Sequence, residues 1–353
     1  MSVLRVLHLV GSAVDEFYGD LSRLYAENCI EFTANPALYE FHIACVSPVS
    51  VARPYGRLIN EEKLQWRFPK SLSREDLAAA DPMSLAEAVQ VLTALKIDVM
   101  LPQMFCVPGM TYYRALFDLL KIPYVGNTPD VMALTANKAK AKAVVAAAGV
   151  RVPEGELLRA GDTPKIPPPA VLKPVDADNS LGVVLVKNPS DYDSALKTAF
   201  GYSDEVLVES FIELGREVRC GIIVRDGELV CLPLEEYLMD KDERPIRSYE
   251  DKLKRDESGD LTMVAKDNNK SWIVDPSDPI TERVWDAAKK CHVALGCRHY
   301  SLFDFRIDSR GQPWFLEAGL YCSFARTSVI SAMAKASGTS LDTLFQTMLN
   351  NAV

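Results

Sequence analysis

Imidazoles and patterned thiols are what this chain has least of. Its 353 residues hold four histidines and eight cysteines, and no two cysteines stand in a C-x-x-C spacing. A structural zinc site needs clustered thiolates or imidazoles, so the pattern argues against zinc. Scattered free thiols fit a reducing, cytoplasmic compartment. There is no G-x-S-x-G, and no cysteine has a histidine at a telling spacing, which disfavours a covalent enzyme intermediate. No G-x-G-x-x-G follows the first apolar run, and a lone Gly11 argues only weakly for a dinucleotide. Long hydrophobic runs are missing too. The opening Val3–Val10 is too short and too interrupted for a signal peptide or membrane span and reads as a buried parallel strand. Positive charge is in deficit, with a formal net charge of −9. That disfavours nucleic acid and anionic membrane as general partners, although a local cluster of Lys and Arg can still bind ATP.

What is present is an ordinary globular balance, 48% hydrophobic and 25% charged, in a length that allows two or three domains. Residues 1–126 alternate strand and helix signals and read as an α/β layer. Strands are expected at 3–10, 41–46, 97–101 and Tyr124–Val125, and helices at 18–32, from Ser84 with Glu87 as its capping-box partner, and at 111–120. Residues 127–208 begin with an Ala- and Lys-rich helix over 130–148 that stops at Gly149. A Pro-rich linker follows, then a small βαβ-like unit of the size that often acts as a lid. Residues 209–353 carry strands at 217–224 and 228–234, a charged stretch over 240–260, a helix at 281–294, an acidic hairpin and a helical C-terminus.

The hairpin is the most informative feature. Ser301–Asp308 and Pro313–Ala318 read as strands around the turn Ser309-Arg310-Gly311-Gln312. A loop of even length pairs Asp308 with Pro313, and therefore Asp304 with Glu317. Directly opposed residues share a sheet face with Cβ atoms roughly 5 Å apart. Two carboxylates that close repel, and a proton or a divalent cation must relieve the repulsion. Oxygen-only ligands suggest Mg²⁺, which usually arrives with phosphate. Lys173 closes the apolar strand Ala170-Val171-Leu172, and burial without a counter-anion would be costly. The loop after it, Val175 to Gly182, holds hydroxyl, amide and Gly groups that can fold over phosphates. Lys138 on the Ala-rich helix could equally face solvent. Glu209 ends the strand Val206-Leu207-Val208 and fits a hinge or a plain strand end. Glu217 lies beside Arg216 and Arg219 and fits a salt-bridged sheet edge.

Taken in order, Tyr124-Val125-Gly126-Asn127, Asn137-Lys138, Leu172-Lys173-Pro174, Asn179-Ser180-Leu181-Gly182, Val208-Glu209, Gly215-Arg216-Glu217, Phe303-Asp304 and Leu316-Glu317-Ala318 resemble the ATP-grasp fold of the D-alanine–D-alanine ligase-like family. That fold includes an N-terminal Rossmann-like domain. A narrower likeness, to the ligases of mycosporine-like amino acid biosynthesis, rests on the segments at His8–Ala13, Met100–Cys106, Cys297–Arg306 and Leu316–Phe324. Those enzymes join an amino acid, usually serine or threonine, to mycosporine-glycine. The resemblance implies ATP and Mg²⁺ as cofactors and small-molecule substrates, and a homodimer is compatible with it. It implies that Lys138 and Lys173 contact ATP phosphates, that Glu209, Phe211 and Ile212 hold adenine, and that Glu217 holds the ribose. Lys252 would lie near the γ-phosphate, Asp304 and Glu317 would hold Mg²⁺, and Asn179, Ser180 and Gly182 would form the closing loop. The alternatives are another amino-acid ligase of this fold, such as a D-alanine–D-alanine ligase, and a non-catalytic ATP-binding sensor.

Departures from the peptide-forming pattern narrow the substrate. The Asn expected two residues after the metal Glu is Gly319. The Arg expected two residues before the metal Asp, to grip the nucleophile's carboxylate, is Leu302, with Arg306 or Arg326 as candidate substitutes. A His-Gly segment is replaced by Pro102–Cys106. There Met104, Phe105 and Cys106 would form an apolar wall for a substrate ring, and Gln103 would bond ring hydroxyls.

Overall fold

The apolar opening run lies inside a sheet. The computed structural model describes residues 3–48, 64–177, 180–213, 215–240, 245–246, 253–255, 261–263 and 270–353, with backbone alone in 253–255 and 261–263. The first layer contains β1 (Leu4–Gly11), α1 (Glu16–Thr33), β2 (Tyr39–Pro48), β3 (Leu64–Arg67), α2 (Arg74–Ala79), α3 (Leu85–Leu95) and β4 (Val99–Pro102). Its strand order is β3-β2-β1-β4. β1 is parallel to β2 and β4, and β3 is antiparallel to β2. Val6, Leu7, Leu9 and Val10 are all fully buried, as a strand covered on both faces requires. α3 begins at the expected capping box, in which Ser84 and Glu87 satisfy each other's N–H groups. The helix expected over 111–120 is preceded by a separate short turn, α4 (Val107–Met110), before α5 (Tyr112–Leu119). The strand expected at Tyr124 is a single bridge to Met100.

Two helices, α6 (Pro129–Ala136) and α7 (Lys138–Ala147), replace the one expected over 130–148. The break is at Asn137, whose extended backbone and side chain, accepting from the Lys140 N–H, cap a new helix. β5 (Gly155–Arg159), unforeseen in the sequence, joins β6 (Ala170–Pro174), β7 (Val184–Val186), α8 (Tyr192–Phe200) and β8 (Glu205–Ser210). The sheet order is β5-β8-β6-β7 and every pair is antiparallel. The βαβ-like expectation holds in split form: β7 and β8, joined through α8, both run antiparallel to β6, which lies between them, and are therefore parallel to each other. Ala170, Leu172, Val206 and Val208 pack against Ala195 and Ala199 of α8.

The third sheet has β9 (Arg216–Arg225), β10 (Glu228–Cys231), β11 (Glu235–Tyr237), β14 (Ser271–Ile273), β15 (Tyr300–Ile307) and β16 (Pro313–Ala318), with β12 (Leu253–Arg255) and β13 (Leu261–Met263) forming a hairpin apart. The order is β14-β11-β9-β15-β16, with β10 on β9. Its inner face, Val218, Cys220, Phe303, Phe305 and Phe315, packs on Val284, Ala288 and Cys291 of α9 (Ile280–Ala294). α10 (Val329–Ala336) and α11 (Leu341–Ala352) pack near the start of β15. Asn127 ties the first layer to this sheet. Its Nδ2 donates to Tyr300 O at 3.1 Å and its Oδ1 accepts from the Arg298 N–H at 2.8 Å. Gly126 beside it has φ +91°, and a Cβ there would lie 2.6 Å from the Tyr300 hydroxyl, so only glycine fits. Among the described residues no helix is long and apolar enough to cross a membrane.

Candidate active site

Asp304 stands opposite Glu317 on the β15–β16 hairpin, but not by the expected route. Ile307, not Asp308, pairs with Pro313, and Phe305 pairs with Phe315. In an unbroken ladder of that register, Glu317 would share the core face of Phe315. A β-bulge opposite Asp304/Phe305 makes Leu316 an extra residue and carries Glu317 to the face of Asp304. Odd loop and bulge cancel.

The same face of β9 carries Arg219 opposite Asp304 and Glu217 opposite Arg306, and β11 adds Glu235 opposite Arg219. Glu235, Arg219, Asp304 and Glu317 thus form one row across the sheet. Arg219 Nε donates to Asp304 Oδ1 at 2.7 Å, and its guanidinium lies 5.2 Å from the Tyr237 ring centre. Burial alone would lower the Arg219 pKa, but Asp304, Tyr237 and Glu235 outweigh it and hold the group charged. In the next row Arg306 donates to Glu217 Oε2 and to Pro245 O, each at 2.8 Å, and lies 5.2 Å from the Phe211 ring centre. Arg306 is therefore committed to Glu217 and is not placed to grip a carboxylate beside Asp304. Arg326 is exposed, lies 5.2 Å from the Phe32 ring centre on α1, and bonds Asn28 through its backbone.

Glu209, at the end of β8, is 1% exposed. Lys142 Nζ lies 2.5 Å from its Oε1 and Lys173 Nζ 2.7 Å from its Oε2. Burial would raise the Glu209 carboxyl, yet the two ammonium groups hold it below the usual range. Burial pulls Lys142 down to about 8 despite that partner. The counter-anion Lys173 needs is therefore Glu209, and both carboxylate oxygens are taken. The Glu209 side chain is thus engaged by two lysines, while the residue itself lines the pocket together with Ile212. Lys142 was missed; its one sequence signal is the i, i+4 spacing from Lys138, which puts both on one face of α7.

Lys138 donates through Nζ to Ala177 O, and through its backbone N–H to Val175 O at 3.0 Å, pinning the loop after β6. Ser180 has φ +62°. Gly182 has φ +68°, and a Cβ there would meet Tyr202 at 2.6 Å and Pro174 at 2.7 Å. Lys138, Lys173, Ser180, Ile212, Asp304 and Glu317 line one pocket, with Glu217 and Arg306 also in its wall. Asn179 and Lys252 lie outside the described residues, as does most of the charged stretch over 240–260.

The N-terminal expectation fails. Gln103 is fully buried: its Oε1 bonds His8 Nδ1 at 2.9 Å and its Nε2 donates to Ser323 O at 3.2 Å, so it has no role with ring hydroxyls. Burial pushes His8 down to about 4, which makes it a neutral partner. Met104 and Cys106 belong to the first layer's core. Phe105 alone joins an aromatic group, with ring centres 5.4 Å from Tyr25 and 5.5 Å from Tyr321. Leu302 packs with Ile330 and Met333. A Cβ on Gly319 would touch nothing nearer than Leu302 Cδ2 at 3.9 Å.

Residues 160–350 match the family model for the D-ala D-ala ligase C-terminus. The D-alanine–D-alanine ligase of Maridesulfovibrio salexigens is 30% identical over 67% of this chain and 74% of its own length. That of Geobacter sulfurreducens is 31% identical over 68% and 72%. The chain belongs to the D-alanine–D-alanine ligase family. As a member of it, the chain is an enzyme, an ATP-dependent, ADP-forming C–N ligase, which sets the sensor aside. Solved structures agree in fold. The VanG D-Ala:D-Ser ligase from Enterococcus faecalis superposes with a TM-score of 0.74 over 100% of both chains at 20% identity. The D-alanine–D-alanine ligase from Coxiella burnetii gives 0.74 over 99% and 95% at 19%. The likeness to mycosporine-like amino acid ligases rests on the sequence motifs alone.

Proposed function

We propose that this ligase joins an amino acid, L-serine or L-threonine, to mycosporine-glycine. The observation that carries the departure from D-alanine is Leu302, packed into the core where the peptide-forming pattern wants a carboxylate-gripping Arg, together with the open space at Gly319. ATP would transfer its γ-phosphoryl group to the carbonyl oxygen of the vinylogous amide. The amine nitrogen would then attack that carbon, phosphate would leave with the oxygen, and loss of the amine protons would leave an imine. Asp304 and Glu317 are an all-oxygen donor pair suited to Mg²⁺, which would neutralise phosphate charge. Lys138 and Lys173 would hold the phosphates, Glu217 the ribose, and the Ser180–Gly182 loop would exclude water. The relatives' names favour a second reading, D-alanine joined to D-alanine. Purified protein is tested with ATP, Mg²⁺ and each substrate set. Mycosporine-glycine plus L-serine or L-threonine should release ADP and red-shift the absorbance, with little release from D-alanine. Fast turnover of D-alanine with none of mycosporine-glycine would establish the second reading.

A further inference from the structure

We propose that Arg219 grips the carboxylate of the amino-acid substrate and is the specificity-determining residue for it; the assignment rests on the ligase reading and not on which partner the amino acid is joined to. Three observations place it there. Its side chain is only 15% exposed, on a rigid central strand, with the Tyr237 ring beneath it. It belongs to the row of Asp304 and Glu317, one strand away from Asp304, while Arg306 in the neighbouring row is committed to Glu217. Burial raises the pKa of the Tyr25 hydroxyl on α1 and the Arg219 charge partly offsets it; the Tyr25 ring meets Phe105 and, through it, Tyr321. Arg219 thus stands beside Asp304 of the acidic pair and against the Tyr237 ring.

The chemistry follows from the guanidinium. Asp304 engages Nε, which orients the group; among the described residues no hydrogen bond occupies the two terminal nitrogens, a planar fork of the kind that meets a carboxylate with two parallel bonds. Neighbouring strands lie about 4.8 Å apart. An α-amino acid held by its carboxylate at Arg219 therefore reaches with its amine toward the acidic pair, where the activated carbon would be.

The test is calorimetric titration of protein saturated with Mg²⁺ and a non-hydrolysable ATP analogue. L-serine and D-alanine are each compared with the corresponding amino alcohol, which lacks the carboxylate. Wild type should prefer one or both amino acids over their alcohols by about 100-fold, the scale of removing one partner of a buried charge pair. Arg219→Gln should erase that preference without changing the analogue's affinity, and Arg219→Lys should restore part of it, with thermal melting confirming that both variants fold. The assignment is overturned if wild type ignores the carboxylate, if Arg219→Gln keeps the preference, or if amino acid and nucleotide binding fall together. A preference that depends on Arg219, in an enzyme that releases no ADP with mycosporine-glycine, would sink the substrate reading and leave Arg219 in place.

Discussion

Lys142 and Lys173 share the Glu209 carboxylate in an almost dry site, and removing one member of such a group leaves charge without a partner. Lys142→Met should cost about 3 kcal/mol of stability, read from denaturant melts. The pH dependence has a definite sign. Lys142 is held at about 8, below the ordinary lysine value of about 10.4. Between those values the unfolded chain keeps a proton that the folded chain has released, so this group makes stability rise with pH across that window. The Met variant should lack that rise when melts at pH 7.5 and 9.5 are compared (conditions set roughly to bracket the window). Glu317→Gln is the cleaner test of the acidic pair, because Asp304→Asn also weakens the partner of Arg219. It should raise the activation barrier by about 3 kcal/mol, the loss typical of an electrostatic site group, and so lower kcat by roughly 100-fold, with the melting temperature nearly unchanged. Normal turnover would remove the metal assignment. The lysines and carboxylates were visible as residue types at strand and helix ends. Their partners were not, since Lys142 comes from a helix and Glu209 from a strand 67 positions on.

Elements were legible where their signals are local. The Ser84 cap, the buried opening strand and the presence of a turn between the hairpin strands, though not its length, follow from neighbours in sequence. The helix break at Asn137 was missed because the Ala- and Lys-rich composition runs straight through it, while the cap depends on one side chain turning back. The bulge at Leu316 was invisible for another reason: an extra residue leaves no trace in a short apolar strand. At Gly182 the left-handed backbone and the contacts with Tyr202 and Pro174 leave no room for a side chain. Gly182→Ala should strain the loop by roughly 1–2 kcal/mol. On the proposed role of the Ser180–Gly182 loop in excluding water, the expected outcome is a lower kcat with little change in melting. A variant with unaltered kinetics would show that the loop takes no part in turnover.

Across the whole molecule, the first layer and the third sheet are joined through buried backbone groups, two of which Asn127 satisfies. Asn127→Ala would leave the Arg298 N–H and Tyr300 O without these partners. The expected loss is about 2 kcal/mol, measured by thermal melting, and an unchanged melting temperature would show the junction to be replaceable. The sequence by itself determined the α/β alternation and the acidic hairpin, because periodicity, caps and turns are written in adjacent residues, and its ordered motifs carried the resemblance to the ATP-grasp fold. Only the tertiary structure decided which charges meet. Arg219 and Asp304 are 85 positions apart and become neighbours because β9 lies beside β15. Strand order is set by the packing of whole layers, which no local pattern carries, so the sequence offered Arg306 and Arg326 and passed over the arginine that sits beside Asp304.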